Sequence, residues 1–261
     1  MIDVVAEVGN SRVKICACQD NKLSTLVRAY GVDDEQFWQS SLKEWTQEPR
    51  HWVVSGSNPP AVEHLLAKVL ASGSRAVVIH SHRQIPILNQ TDVPEKVGLD
   101  RLFNALAARS LVPLGTPAVI VDIGTAVTVD LVDAVGRFSG GVIFPGLRLM
   151  AESLHQYTAK LPRIDPTEGD FGELPGRNTR TAMGLGMLHA VSGGIDAVVR
   201  GLAAQCAQAP YVFLTGGDAT PRLSQLLETR RQFATKTVNN LTLQGLLIAG
   251  TEHSDEEQGN E

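Results

Sequence analysis

Apolar and polar positions change period repeatedly along the chain, and each change predicts an element. MIDVVAEVG (1–9) and RVKICAC (12–18) have the short apolar runs of β-strands. Residues 34–46 (DEQFWQSSLKEWT) place Phe37, Trp38, Leu42 and Trp45 near helical spacing, which predicts a helix. HWVVSGS (51–57) predicts a strand ending in small residues. PAVEHLLAKVLA (60–71) predicts a helix with Pro60 in its first turn, and RAVVIHS (75–81) a further strand. Pro94 and Gly98 punctuate a loop before DRLFNALAARSLV (100–112), a helix with Leu102, Phe103 and Leu106 on one side. Strands interleaved with helices mean an α/β fold.

LVPLGTP (111–117) breaks the pattern, which then restarts. PAVIVDIG (117–124) is a continuous apolar strand, TAVTVDLVD (125–133) a second, and Gly136 turns into FSGGVIFPG (138–146). LRLMAESLHQYTA (147–159) predicts a helix with an apolar stripe, which suits packing. Residues 179–205 predict a long helix with an interruption at Gly193-Gly194. PYVFLTGGDA (210–219) predicts a strand entering a glycine turn, and LTLQGLLIAG (241–250) a closing helix. The expected organisation is one α/β domain over 1–113, a second over 114–250, and an unstructured acidic tail over 251–261.

Composition then removes several classes of function. The 261 residues are 43% hydrophobic and 20% charged, enough apolar material for a packed core. Basic residues number 23 against 28 acidic ones. Five acids (Glu252, Asp255, Glu256, Glu257, Glu261) fall in the last ten residues, so the body balances at 23 of each sign. A neutral body lacks the basic excess that a phosphate backbone requires, which argues against a nucleic-acid partner. Apolar runs fall short of the roughly 18 residues of a membrane span, so no membrane partner is expected. The N-terminus carries acids where a secretory signal carries basic residues, and three cysteines make no disulfide framework. The expected location is cytoplasmic. Cys16 and Cys18 lie in an apolar stretch, Cys206 is distant, and His80 and His82 follow a strand-like run; none has a zinc-ligand spacing.

The most informative feature is an echo. AEVGNSRVKI (6–15) and VDIGTAVTVD (121–130) each set a carboxylate (Glu7, Asp122) two residues before a glycine (Gly9, Gly124). Two small or polar residues follow (Asn10-Ser11, Thr125-Ala126), then a second strand. Glycine after a strand lets backbone approach a ligand, and the N–H and hydroxyl groups that follow can face phosphate oxygens. The carboxylate ahead can hold hydrated Mg²⁺, which takes one or two carboxylates plus waters and phosphates. Either turn alone also fits an ordinary hairpin with Gly in the turn. Two in matching positions, facing each other, would grip a nucleotide's phosphates. LTGGDA (214–219) adds a turn on which an adenine or ribose can lie. In EKVGLDRLFNALAA (95–108), Asp100 and Arg101 open a helix just after Gly98. Asp100 suits the first turn for dipole reasons, but it can also orient an attacking hydroxyl, while Arg101 clamps a carboxylate.

Six blocks in order carry a family resemblance: EVGNSRVK (7–14), VGLDRLFNALAA (97–108), VDIGTAVTVD (121–130), SGGVIFPGLRLM…TAKLP (139–162), GRNTRTAMGLG (176–186) and LTGGDA (214–219). Through them the chain resembles type III pantothenate kinases, of the acetate/sugar-kinase, actin and heat-shock-chaperone ATPase superfamily. The resemblance implies two RNase-H-like, actin-like ATPase domains flanking a nucleotide cleft. It implies ATP-dependent phosphorylation of pantothenate, the first step of coenzyme A synthesis. Implied ATP-binding residues are Glu7, Val8, Gly9, Asn10, Ser11, Arg12, Val13, Lys14 and Thr125. Asp100 is the implied catalytic carboxylate, and Gly98, Leu99, Asp100, Arg101 and Thr179 the implied pantothenate site. Asp122 would hold a monovalent cation, K⁺ or NH₄⁺, and Glu7 an Mg²⁺ through water. The implied assembly is a homodimer. Two positions depart from the family pattern: Glu7 stands where Asp is usual, and Thr91 where a substrate-lining Tyr is usual. A kinase for another small hydroxy acid or sugar, and a non-catalytic nucleotide-binding homologue, are the alternatives; a DNA-binding accessory factor is disfavoured by the neutral body.

Overall fold

A computed structural model describes residues 1–167, 171–228 and 233–258. The chain divides into two compact units, Met1–Leu111 with Asn240–Glu261, and Val112–Asn239. In the first, β1 (Val4–Val8), β2 (Arg12–Gln19) and β3 (Lys22–Gly31) lead to α1 (Glu35–Gln39) and a 3₁₀ turn over Ser41–Glu44. Then come β4 (His51–Gly56), α2 (Pro59–Ala71), β5 (Arg75–Val78) and α3 (Leu99–Ser110). The sheet order is β3-β2-β1-β4-β5, with β1, β4 and β5 parallel and β2 and β3 antiparallel.

The second unit opens with β6 (Ala118–Ile123), β7 (Ala126–Val132), β8 (Phe138–Pro145) and α4 (Leu147–Gln156). It continues through α5 (Thr179–Ala203), β9 (Tyr211–Thr215), α6 (Pro221–Glu228) and β10 (Thr235–Thr237). Its sheet order, β8-β7-β6-β9-β10, repeats the first position for position. The echo read from sequence is thus an echo of topology. Glu7 pairs with Lys14 and Ser55, and Asp122 pairs with Thr128 and Thr215 at the matching places.

Alternation along the central strands builds each core. Val4, Ala6 and Val8 share one face with Trp52 and Val54, and Phe37, Leu65 and Val69 close over them. Val5 and Glu7 therefore point to the opposite face. In the second unit Val119, Val121 and Ile123 pack with Val127, Val129 and the Met183–Ile195 face of α5. By length and composition α5 could span a bilayer, contrary to the sequence expectation; half of that apolar window is buried inside the protein. It also runs unbroken through Gly193-Gly194, where a Cβ on Gly194 would meet the Phe144 ring only at ordinary contact distance.

The closing helix, α7 (Leu241–Gln258), corrects the expected domain boundary. It returns to the first unit and packs on α3, β1 and β4, whereas the sequence reading gave residues through 250 to the second domain. The approach to α3 is close: a Cβ on Gly245 would overlap the carbonyl of Phe103. The acidic tail also differs from expectation. Helix continues to Gln258, since elongating a formed helix adds a bond per residue without a new nucleus. Residues 259–261 lie outside the described residues.

Three further differences are local. The predicted 34–46 helix splits at Ser40, whose hydroxyl bonds back to Gln36 O at 2.7 Å. β3 follows a two-residue turn in which Asp20 and Asn21 have φ of 51° and 56°, the left-handed pair that closes a twisted hairpin. The sequence reading predicts neither α6 nor β10: α6 does place Leu223, Leu226 and Leu227 at helical spacing, whereas the three residues of β10 are too few to show a period.

Candidate active site

Parallel strands β1, β4 and β5 end on the same edge of the first sheet, where α/β proteins place ligands. A cavity of about 590 Å³ opens there. Glu7 from β1, Ser55 and Gly56 from β4, and Gly98, Leu99 and Asp100 from the start of α3 line it. The segment leaving β5 adds His80, His82 and Arg83, and α3 adds Phe103.

Glu7 is 9% exposed. Its Oε2 lies 3.5 Å from the Nζ of Lys14, its partner across the β1–β2 hairpin. The turn between these strands is closed by the Gly9 N–H donating to Arg12 O at 2.9 Å. Asn10 and Ser11 at its tip are exposed, whereas Val8 and Val13 point into the core, so only their backbone can meet a ligand. Ser55 is buried and donates to Ile79 O at 2.6 Å, joining the ends of β4 and β5. Asp100 is exposed, and its Oδ1 accepts the Arg101 N–H at 2.9 Å. Arg101 does not line the cavity that Asp100 lines.

In the second unit three turns converge. Gly124 N–H donates to Ala126 O (3.1 Å), Gly146 N–H to Thr125 O (3.0 Å), and Asp218 N–H to Ile123 O (3.0 Å). Gly216 sits at φ +105°, and a Cβ there would overlap the Ile123 backbone. Gly216→Ala should therefore cost roughly 2 kcal/mol or more, from left-handed strain plus overlap. Thermal denaturation checks this; a fall in Tm of about 5 °C or more is expected. Arg148 braces the convergence, with Nε 3.5 Å from Oδ2 of the buried Asp218 and Nη2 donating to Thr167 Oγ1 at 3.1 Å. A second cavity of about 640 Å³, lined by Thr167, Leu188, Pro221 and Arg222, adjoins this segment.

Asp122 pairs directly with Thr128 across β6 and β7, so both side chains leave the same face of the sheet. The Thr128 Oγ1 is buried without a hydrogen-bond partner. A carboxylate beside an unclaimed hydroxyl oxygen is an oxygen-donor set suited to a hard cation. Among the described residues no cluster of three or more His, Cys, Asp or Glu could hold a metal alone. At Glu7, and separately at Asp122, a single carboxylate fits an ion whose other ligands are mainly phosphates or water.

Thr179 begins α5 in the second unit, exposed, beside the capping pair in which Asn178 Oδ1 accepts the Thr181 N–H at 2.9 Å. The thiols are poor nucleophiles: burial pushes Cys18 up to about 12 and raises Cys16 and Cys206 as well. The sequence reading missed Ser55, His80, His82 and Arg83 as cavity residues. The small residues that end HWVVSGS were the available signal for Ser55; the other three are recruited by the route of the chain after β5.

A family model described as type III pantothenate kinase matches residues 4–201. The type III pantothenate kinase of Halalkalibacterium halodurans is 37% identical over 157 residues, covering 60% of this chain and 58% of that protein. That of Bacillus cytotoxicus is 37% identical over 155 residues, covering 59% and 56%. The chain thus spans somewhat over half the length of the relatives it matches. Among solved structures, a conserved Campylobacter jejuni protein assigned to the Baf family of transcriptional activators superposes with a TM-score of 0.62 at 17% identity, covering 97% of this chain and 99% of that one. The activator of 2-hydroxyisocaproyl-CoA dehydratase from Clostridium difficile, solved with bound ADPNP, superposes at 0.57 with 14% identity, covering 100% and 98%. These two likenesses speak to the fold.

Proposed function

Because the chain belongs to the type III pantothenate kinase family, we propose that it transfers the γ-phosphoryl group of ATP to the primary hydroxyl of pantothenate. This is the reaction that opens coenzyme A synthesis. The observation that carries the reading is the cavity at the end of β1, β4 and β5, which Glu7 and Asp100 line together. A buried carboxylate for the nucleotide's ion and an exposed one for the acceptor hydroxyl are what such a transfer needs in one hollow.

Phosphoryl transfer has a loose transition state, so positioning and charge supply most of the acceleration. Asp100 accepts the proton of the attacking hydroxyl and aims its oxygen at the γ-phosphorus. Backbone N–H groups of the 8–14 turn and the hydroxyls of Ser11 and Thr125 hold phosphate oxygens, with Arg12 and Lys14 as the nearby cations. Mg²⁺ accompanying the nucleotide would supply charge neutralisation, and Glu7 would hold it through water. Lys14, 3.5 Å from Glu7, limits where that carboxylate can swing despite its extra methylene. Asp122 and the unclaimed Thr128 hydroxyl are the place for K⁺ or NH₄⁺. Gly98 to Arg101 and Thr179 belong to the pantothenate side in this reading, and the 216–219 turn with its adjoining cavity to adenosine. A homodimer acting in the cytoplasm completes it. What the Clostridium difficile activator binds, ADPNP, is consistent with a nucleotide here.

ADP formation measured with and without pantothenate, in K⁺ and in Na⁺ buffer, tests the proposal. ADP release that requires pantothenate and is faster in K⁺ is expected. Nucleotide binding without pantothenate-dependent ADP release would identify a non-catalytic relative instead.

A further inference from the structure

The second unit's cavity of about 640 Å³ has a polar wall rich in hydrogen-bond donors. Arg222, half-buried in the first turn of α6, lines it. Its Nη1 donates to Gln225 Oε1 at 2.9 Å and its Nη2 to Gly172 O at 3.4 Å. A guanidinium carries five N–H bonds, so three remain for a ligand. The bond from Arg222 also sets the Gln225 amide, because the amide oxygen must face the guanidinium. What Gln225 then offers the cavity is its NH₂ group, with two donors. Thr220 Oγ1 accepts the Leu223 N–H at 3.2 Å, which leaves the Thr220 O–H to donate. Among the described residues no carboxylate lines this cavity.

The remaining walls are apolar and braced. Pro166, Leu188 and Pro221 supply ring and alkyl surface. The hydroxyl hydrogen of Thr167 goes to Asp165 Oδ1 at 2.6 Å, and its oxygen accepts Arg148 Nη2 at 3.1 Å. Arg148 Nε lies 3.5 Å from Oδ2 of the buried Asp218, which ties the 165–167 segment to the 216–220 turn. A preformed, largely apolar hollow with polar groups on one side suits a planar heterocycle. A phosphate or carboxylate would use the donors and leave most of the 640 Å³ empty. Thr220 and Pro221 follow the 216–219 turn directly, so a base seated here stays joined to a ribose on that turn.

We propose that Arg222 and Gln225 read the base of the phosphoryl donor and take a 6-oxopurine at least as readily as adenine, so that GTP and ITP serve alongside ATP. The inference rests on the kinase reading above and specifies its donor. A 6-oxopurine sets two acceptors, O6 and N7, side by side, and an arginine fork bonds to both. Adenine replaces O6 by an amino donor, which meets the N–H groups of Arg222 and Gln225 with N–H of its own. The transfer is otherwise the same. The bond from the γ-phosphorus to the β–γ bridging oxygen breaks, and one to the acceptor oxygen forms. The hydroxyl proton passes to Asp100, and ITP leaves as IDP.

ITP is the sharpest probe, since it differs from ATP only in the oxygen at position 6 and the N1 proton that goes with it. With pantothenate saturating, kcat/KM for ITP should equal or exceed that for ATP in the parent chain. In Arg222→Ala the ITP-to-ATP ratio should fall at least about fivefold, the discrimination of one bidentate pair. Gln225→Glu, which puts an acceptor in the wall, should also turn the ratio toward ATP. A purely structural loss would lower both donors together and leave the ratio in place. A parent chain that favours ATP, or a smaller fall in Arg222→Ala, overturns the inference. Calorimetric titration with ITP and ATP reads the same ratio without turnover. A chain that keeps the ratio but forms no nucleoside diphosphate with pantothenate loses the kinase reading and retains this base site.

Discussion

Asp100→Asn is expected to lower kcat by roughly 10²- to 10⁴-fold, the usual range for loss of a general base. The side chain is exposed at the first turn of α3, and its one described bond is accepted from the Arg101 N–H at 2.9 Å. Asparagine keeps that acceptor oxygen and the same shape, so the helix start survives while the proton acceptor is lost. Calorimetric titration should then give an ATP affinity close to that of the parent chain, because the turns proposed to face phosphate are elsewhere in the chain. A split of this kind, with turnover gone and nucleotide retained, separates a catalytic carboxylate from a helix-start acid placed there for dipole reasons. Unaltered turnover in the variant rejects Asp100 as the base.

Ending the chain at residue 239 is expected to unfold the first unit. The removed helix carries Leu241, Leu243, Leu246 and Leu247, each at most 4% exposed. At about 1.5–3 kcal/mol for each buried side chain, four leucines contribute roughly 6–12 kcal/mol. That equals the whole stability of a typical domain, about 5–15 kcal/mol. The face that loses its cover includes Val53, which Gly250 touches, and Phe103 of α3, which Gly245 touches. A chain ending after His253 keeps all of these and should melt like the parent. Far-UV circular dichroism and thermal melting of the two truncations provide the check. Cooperative melting of the 239-residue chain at the parent temperature would show that the returning helix is dispensable, against its place in the first unit.

Much of this architecture is legible from periodicity because the two sheets are built on strands buried on both faces. VVAEV and AVIVDI are short apolar runs with a carboxylate one residue from the end, and their length, β-branched content and the glycine that follows each mark them as strands. Where the local pattern was ambiguous, the reading failed for identifiable reasons. β3 exposes most of its length, so alternation was weak, although Asp20-Asn21 is the kind of pair that marks a hairpin. A register shift between Cys16 and Cys18 further blurs the β2–β3 period. In the 34–46 segment the apolar spacing was right, since Phe37, Leu42 and Trp45 are all buried, but a side-chain bond at Ser40 resets the backbone.

The amino-acid sequence by itself determined that each half would be a strand–turn–strand motif with an acid and a glycine at its turn. Residue spacing sets which side chains share a face, and that information is local. Only the tertiary structure decided that residues 240–258 complete the first half, and that His80, His82 and Arg83 join Asp100 around one cavity. Nothing in the period of LTLQGLLIAG names the surface it will cover. That choice follows from which apolar face is left open after the sheet has formed, and from a glycine at 245 that lets two helices meet backbone to backbone.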